Sequence, residues 1–155
     1  MKLTTARSFF LHSTAVVLAI VALAKFVSAF GTVAVLKVYD PFLAYFTIRQ
    51  LVLIAASLEI FVAGLIWILP AKRQALKISA VMWLALLLLF YRLGHYFGDF
   101  IEPCHCLGTV PSAIGLNPDF ADFSLKLFLA YMLVGTLTLL MVGYFEKSFF
   151  KTQGP

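Results

Sequence analysis

The sequence predicts an all-α integral membrane protein, a four-helix bundle with both termini in the cytoplasm. Three observations carry this. Hydrophobic residues make up 63% of the 155 and charged residues only 12%, against roughly 45–50% and about 25% in a soluble domain. Such a chain, with a mean hydropathy of +1.00, has too few polar side chains to cover a water-exposed globule. Four apolar stretches are each near or above the roughly 20 residues that a helix needs to cross a hydrocarbon core of about 30 Å. The basic residues, finally, gather at alternate ends of those stretches.

The length fits one domain, residues 1–155. Helices are expected over about 9–36, 50–69, 78–97 and 118–145. None of the stretches alternates with a period of two, which disfavours a β-barrel. Within lipid each must satisfy its backbone hydrogen bonds internally, and a helix does so. The first stretch has the basic head of a signal peptide in Lys2 and Arg7, and Val27-Ser28-Ala29 resembles a cleavage site. The apolar run continues past Ala29 to Leu36, however, and Lys25 would sit just before the cut, so a retained helix is expected. Asp40-Pro41 marks a turn in the first loop, and Pro70 ends the second helix. The second long loop, 98–117, contains Gly98, Pro103, Gly108, Pro111 and Gly115, a density of breakers that excludes a continuous helix. Asn117-Pro118 reads as the N-cap and first residue of the fourth helix.

Charge sets the orientation. Lys2 and Arg7 precede helix one; Lys72, Arg73 and Lys77 fall between helices two and three; Lys147 and Lys151 follow helix four. Asp40 lies in one remaining loop, and Asp99, Glu102, Asp119 and Asp122 lie in or beside the other. The positive-inside rule puts the basic ends in the cytoplasm and the acidic loops outside, in the periplasm for a bacterial inner membrane. The net charge of +5 therefore reflects topology, and no basic patch points to nucleic acid.

The chain has two cysteines, Cys104 and Cys106, flanking His105 in the outer loop. Disulfides form and persist in that compartment. A pair two positions apart closes a small, strained ring, and strained disulfides exchange readily. A structural staple would instead join distant segments. Arg92 and His95, on one face near the outer end of helix three, are candidates for tuning a thiolate, as is His105. Two other readings remain open. The cysteines could be inert thiols, or Cys104, His105, Cys106 and His95 could form a soft-ligand set for copper(I) or zinc, although a zinc site normally shows two separated ligand pairs. Haem fits less well, for want of a second axial ligand.

Lys25, Glu59 and Arg92 lie inside apolar stretches, where an ionised group normally finds a partner. Taken from the outer ends of helices one and two, Lys25 and Glu59 fall at similar depth and are expected to pair. A register-fixing ion pair is one reading of them, and a proton relay or quinone site another.

Several of these residues resemble a known family. Ala24-Lys25-Phe26, Ser57-Leu58-Glu59-Ile60 with Gly64, and Cys104-His105-Cys106-Leu107-Gly108 resemble the methylamine utilisation MauE family, within the wider DoxX-like group of four-helix membrane proteins. The resemblance spans roughly Leu18 to Gly108. This chain differs in having His105 where a small residue is usual, and in a loop extended by Thr109–Pro118. The resemblance implies a membrane redox accessory that supports maturation of a periplasmic enzyme alongside a thioredoxin-like or disulfide-containing partner. With two cysteines no second internal pair can relay electrons, so they would pass to a bound quinone or another protein. The rival readings are a non-catalytic assembly subunit and a small metal-handling or transport protein using Lys25 and Glu59 as its polar path.

Overall fold

The computed structural model describes the backbone of residues 2–31, 34–97 and 118–152, and the side chains of 5–31, 36–97, 120 and 122–143. There are four long helices among the described residues: α1 (Lys2–Ala29), α2 (Ile48–Ile68), α3 (Gln74–Phe97) and α4 (Pro118–Thr152). Among the described residues all regular structure is helical apart from one antiparallel bridge between Tyr39 and Thr47. Four segments among the described residues are long and apolar enough to cross a membrane: Thr5–Ala29, Ile48–Ile68, Ala71–Phe97, which joins a short 3-10 turn to α3, and Asp122–Gly143.

The helix ends follow local chemistry. α1 stops at Ala29, short of the expected Leu36. There Gly31 N–H turns back onto Ser28 O at 3.0 Å, and Ala34–Lys37 forms a separate 3-10 turn. Apolar character did not distinguish a continuing helix from this turn, since the turn also buries an apolar residue, Leu36. α2 starts two residues earlier than expected because Thr47 and Gln50 make a capping box: Thr47 Oγ1 accepts from Gln50 N–H, and Gln50 Oε1 accepts from Thr47 N–H. Pro70 follows the end of α2 and leads into a 3-10 turn, Ala71–Arg73, from which α3 starts at Gln74. Pro118 is the first residue of α4, where its missing N–H costs nothing.

α1 packs chiefly on α2, and α3 chiefly on α4. The buried residues of α1 include Leu11, Ala15, Leu18, Ala22, Lys25 and Ala29, spaced alternately by four and three. α2 repeats the pattern with Val52, Ala56, Glu59, Ala63 and Ile66. This is the seam of an antiparallel coiled coil. Alanine at every seventh position lets the two backbones approach, the means by which membrane helices gain contact without a hydrophobic driving force between them. Lys25 and Glu59 occupy seam positions that otherwise hold Leu, Val or Ile.

The same rhythm continues in α3, through Lys77, Val81, Leu84, Leu88, Tyr91 and His95, and in α4, through Leu129, Met132 and Thr136. The outward faces carry large apolar side chains such as Ile20, Phe61, Trp83 and Val134, which suit contact with lipid. Phe10 crosses from α1 to α4 and stacks obliquely on Tyr131, centroids 5.1 Å apart. Its ring occupies the space that a side chain at Gly135 would need.

Candidate functional site

Polar side chains concentrate at one end of the bundle, where the α1–α2 connection meets the end of α3 and the start of α4. Residues 38–48 form a closed loop: Ile48 N–H donates to Val38 O at 3.0 Å, and Asp40 N–H to Phe46 O at 2.9 Å. Asp40 is its anchor and is 2% exposed. Oδ1 accepts from the backbone N–H groups of Phe42 (2.9 Å) and Leu43 (2.7 Å), an Asx turn of the kind that Asp before Pro favours. Oδ2 faces α3, where it accepts from Tyr91 OH at 2.6 Å and meets His95 Nε2 at 3.2 Å.

Tyr91 and His95 are four apart on α3 and so lie on one face. Their rings meet edge to face, centroids 4.7 Å apart. Phe42 approaches His95 from the loop, at 6.3 Å. Its ring lies over Gly94, where any Cβ would overlap it. Burial alone would push the Asp40 carboxyl up. The bonds from Tyr91, Leu43 and Phe42 and the charge of His95 outweigh that and hold it below the usual carboxylate range.

A second set lies beside the first. Arg92 Nη2 binds Asp122 Oδ1 at 2.9 Å, tying α3 to α4, and Lys126 Nζ reaches Asp122 Oδ2 at 2.7 Å from one turn along α4. Arg92 thus has an acidic partner of its own, while His95 is paired with a different acid. The two sequence candidates share an end of the bundle but belong to separate clusters.

The structure also brings Lys25 and Glu59 together, as an ion pair between Lys25 Nζ and Glu59 Oε1 with side chains 6% and 2% exposed. Equal depth is not the cause, because α1 ends earlier than the sequence suggested. Arg49 Nη2 donates to Gly31 O at 2.8 Å and so aligns those two positions. From that level Lys25 lies six residues down α1 and Glu59 ten down α2, about 9 and 15 Å at a rise of 1.5 Å per residue. Helical side chains lean toward their own N-terminus. In antiparallel helices Lys25 therefore leans deeper and Glu59 shallower, and they meet between. Glu59 Oε2 has no partner among the described residues. At the opposite end of α2, Lys77 Nζ donates to Ile66 O at 2.7 Å, satisfying one of the carbonyls a helix end leaves open.

Cys104, His105 and Cys106 lie outside the described residues. Among the described residues, no group of three or more His, Cys, Asp or Glu could hold a metal ion. Sequence reasoning took Asp40 as a turn signal and as a mark of the outer side, and gave Tyr91 no role. The available sign was the i, i+4 spacing of Tyr91 and His95, two polar rings on one face of an otherwise apolar helix.

Compared with family models, curated proteins and solved structures, the chain matches none. The resemblance to the MauE family rests on the residues quoted for it.

Proposed function

We propose that the chain is a multi-pass protein of a bacterial inner membrane, DoxX- or MauE-like, with both termini in the cytoplasm, and that it exchanges thiol and disulfide equivalents with a periplasmic protein. The observation that carries this reading is the Cys104-His105-Cys106 element, which contains the chain's two cysteines between the end of α3 and the start of α4 in sequence. Four membrane-length helices and alternating basic and acidic connections support the orientation.

In the exchange, a partner thiolate attacks one sulfur of the Cys104–Cys106 disulfide. A mixed disulfide forms and the other cysteine leaves as thiolate, which takes up a proton. The partner's second thiol, losing its proton, then attacks the mixed bond. The partner leaves as a disulfide and both cysteines of this chain as thiols. The partner has lost two electrons and two protons, and this pair has gained them. The reverse sequence reduces a partner disulfide, and the relative potentials decide the direction. Re-oxidation of the pair falls to a quinone or a further protein disulfide.

The test is to purify Cys104→Ser and Cys106→Ser variants from cells and to separate them without reductant. The proposal expects a reductant-sensitive adduct with a thioredoxin-like or disulfide-containing protein in at least one of them. Function retained in the double serine variant, with no adduct from either single variant, overturns it.

A further inference from the structure

We propose that the 38–48 loop is a membrane-interface element, whose aromatic side chains Tyr39, Phe42, Tyr45 and Phe46 insert among the phospholipid headgroups and upper acyl chains at the C-terminal end of α3. This goes beyond the thiol-exchange reading and does not depend on it. A loop that meets water normally turns polar side chains outward and apolar ones inward. Here the arrangement is inverted. Asp40, the charged residue of the loop, is buried, whereas Tyr39 is 64% and Tyr45 94% exposed, with Val38, Phe42 and Phe46 exposed beside them. The exposed side chains from Val38 to Phe46 carry no charge.

The backbone of the loop also makes little demand on water. Asp40 N–H donates to Phe46 O, Ile48 N–H to Val38 O, and Phe46 N–H to Leu43 O at 2.8 Å. Phe42 and Leu43 N–H groups are taken by Asp40 Oδ1, and Thr47 N–H by Gln50 Oε1. Pro41 has no N–H to satisfy. A loop bathed in water can leave such groups to solvent, but one lodged where water is scarce must satisfy them internally. Side chains and backbone thus point to the same apolar setting.

Depth identifies that setting as lipid. Tyr91 and His95 hold Asp40 Oδ2, and the Phe42 ring lies over Gly94, so the loop packs along the flank of α3 and not beyond its tip. Tyr91 and His95 come six and two residues before Phe97, where α3 ends, about 9 and 3 Å at a rise of 1.5 Å per residue. The 24 residues of α3 span about 36 Å, against a hydrocarbon core of about 30 Å. Its last turns therefore straddle the boundary between acyl chains and headgroups, and the loop lies beside them. Aromatic rings concentrate at that boundary, where their amphipathic character is matched. Phe30 after α1 and Tyr96 and Phe97 on α3 are exposed at the same end, so the loop continues a lipid-facing surface that the helices begin. A protein partner is the poorer fit. Such interfaces carry about one hydrogen bond per 100–200 Å², and the exposed side chains from Val38 to Phe46 offer only the hydroxyls of Tyr39 and Tyr45.

The experiment places a reporter on the loop in the full chain. Tyr45→Trp is made with Trp67→Phe and Trp83→Phe, all three at exposed positions, and the chain is reconstituted in phosphatidylcholine nanodiscs. Its fluorescence is quenched in turn by lipid carrying a nitroxide on the headgroup, by lipid carrying one near the acyl-chain end, and by iodide in the water. The proposal expects the shallow nitroxide to quench about threefold more than the deep one, as suits a ring held roughly 5–10 Å into the headgroup boundary. Iodide should quench it less than it quenches tryptophan amide free in the same buffer. Tyr39→Trp in the same background should give the same ordering. Iodide quenching equal to that of the free amide, with no response to either nitroxide, places the loop in water and overturns the proposal. Shielding from all three quenchers means that protein covers the loop, whether residues 98–117, a second copy or a partner, and overturns it equally. So does stronger quenching from the deep nitroxide than from the shallow one. Any of these results at either position is sufficient.

Discussion

Replacing Lys25 or Glu59 alone should cost far more than replacing both. The two side chains are 6% and 2% exposed and fill seam positions between small residues, Ala22 and Ala29 on α1 and Ala56 and Ala63 on α2. Water has little room to enter and rescue a lone charge. Breaking such a pair from one side costs about 3–5 kcal/mol, whereas well-packed apolar replacements of both partners are often neutral or stabilising by about 1–4 kcal/mol. The neighbouring seam positions hold Leu18, Val52 and Ile66, so Lys25→Met with Glu59→Leu continues an existing pattern. We expect each single change to destabilise by about 3–5 kcal/mol, more than a hundredfold in the folding equilibrium, and the double change to fall within about 1 kcal/mol of the parent or above it. Reversible unfolding in mixed micelles, titrated with sodium dodecyl sulfate and followed by the fluorescence of Trp67 and Trp83, gives all four values. A double variant that loses the sum of the two singles, or a Glu59→Leu variant that loses less than about 1 kcal/mol, would refute the seam argument.

Three further outcomes follow from the same geometry. Gly135→Ala drives a methyl into the buried ring of Phe10 and should cost about 1–3 kcal/mol; adding Phe10→Leu should recover part of it in the same titration. Lys77→Met leaves Ile66 O without its donor and should cost about 1.5–3 kcal/mol, with Lys77→Arg retaining some of the difference. Because the folded Asp40 carboxyl titrates below its usual range, its contribution is complete above about pH 4, its unfolded value, and fades as pH falls through the depressed folded value. Amide exchange at Phe42 and Leu43 should accelerate on that acid side, and the step should be absent in Asp40→Asn.

Hydropathy made the helices legible and left their facing obscure. A lipid-facing residue and a core residue are both apolar, so periodicity carries little contrast in α1 or α2. The contrast lies instead in size and polarity: Ala15, Ala22 and Ala29 recur every seven residues, and Lys25 falls in the same seam. Read that way, the α1–α2 interface is visible in the sequence. The end of α1 was not, because the 3-10 turn at Ala34–Lys37 buries an apolar residue, Leu36, as a continuing helix could. The start of α2 was legible, since Thr47-Ile48-Arg49-Gln50 spells a capping box.

Lys25 and Glu59 could be singled out because charge in an apolar run is costly. Asp40 could not be, because an aspartate before proline already has a sufficient local explanation in the turn. Its second oxygen finds Tyr91 and His95 only after α3 folds back beside the loop, fifty-one and fifty-five positions later. Arg92 illustrates the converse. It was legible as a buried cation but not as the partner of Asp122, whose position in helix four gave no register against helix three.

The central claim is that Cys104 and Cys106 interconvert between a joined and a separate state on the outer side of the membrane. The most direct measurement treats intact right-side-out vesicles with a membrane-impermeant maleimide, before and after a mild impermeant reductant, and reads the mass of the whole chain. The account predicts no addition before reduction and two additions after it, both lost in the double serine variant. Two additions without reductant, or none until the vesicles are lysed, would contradict it.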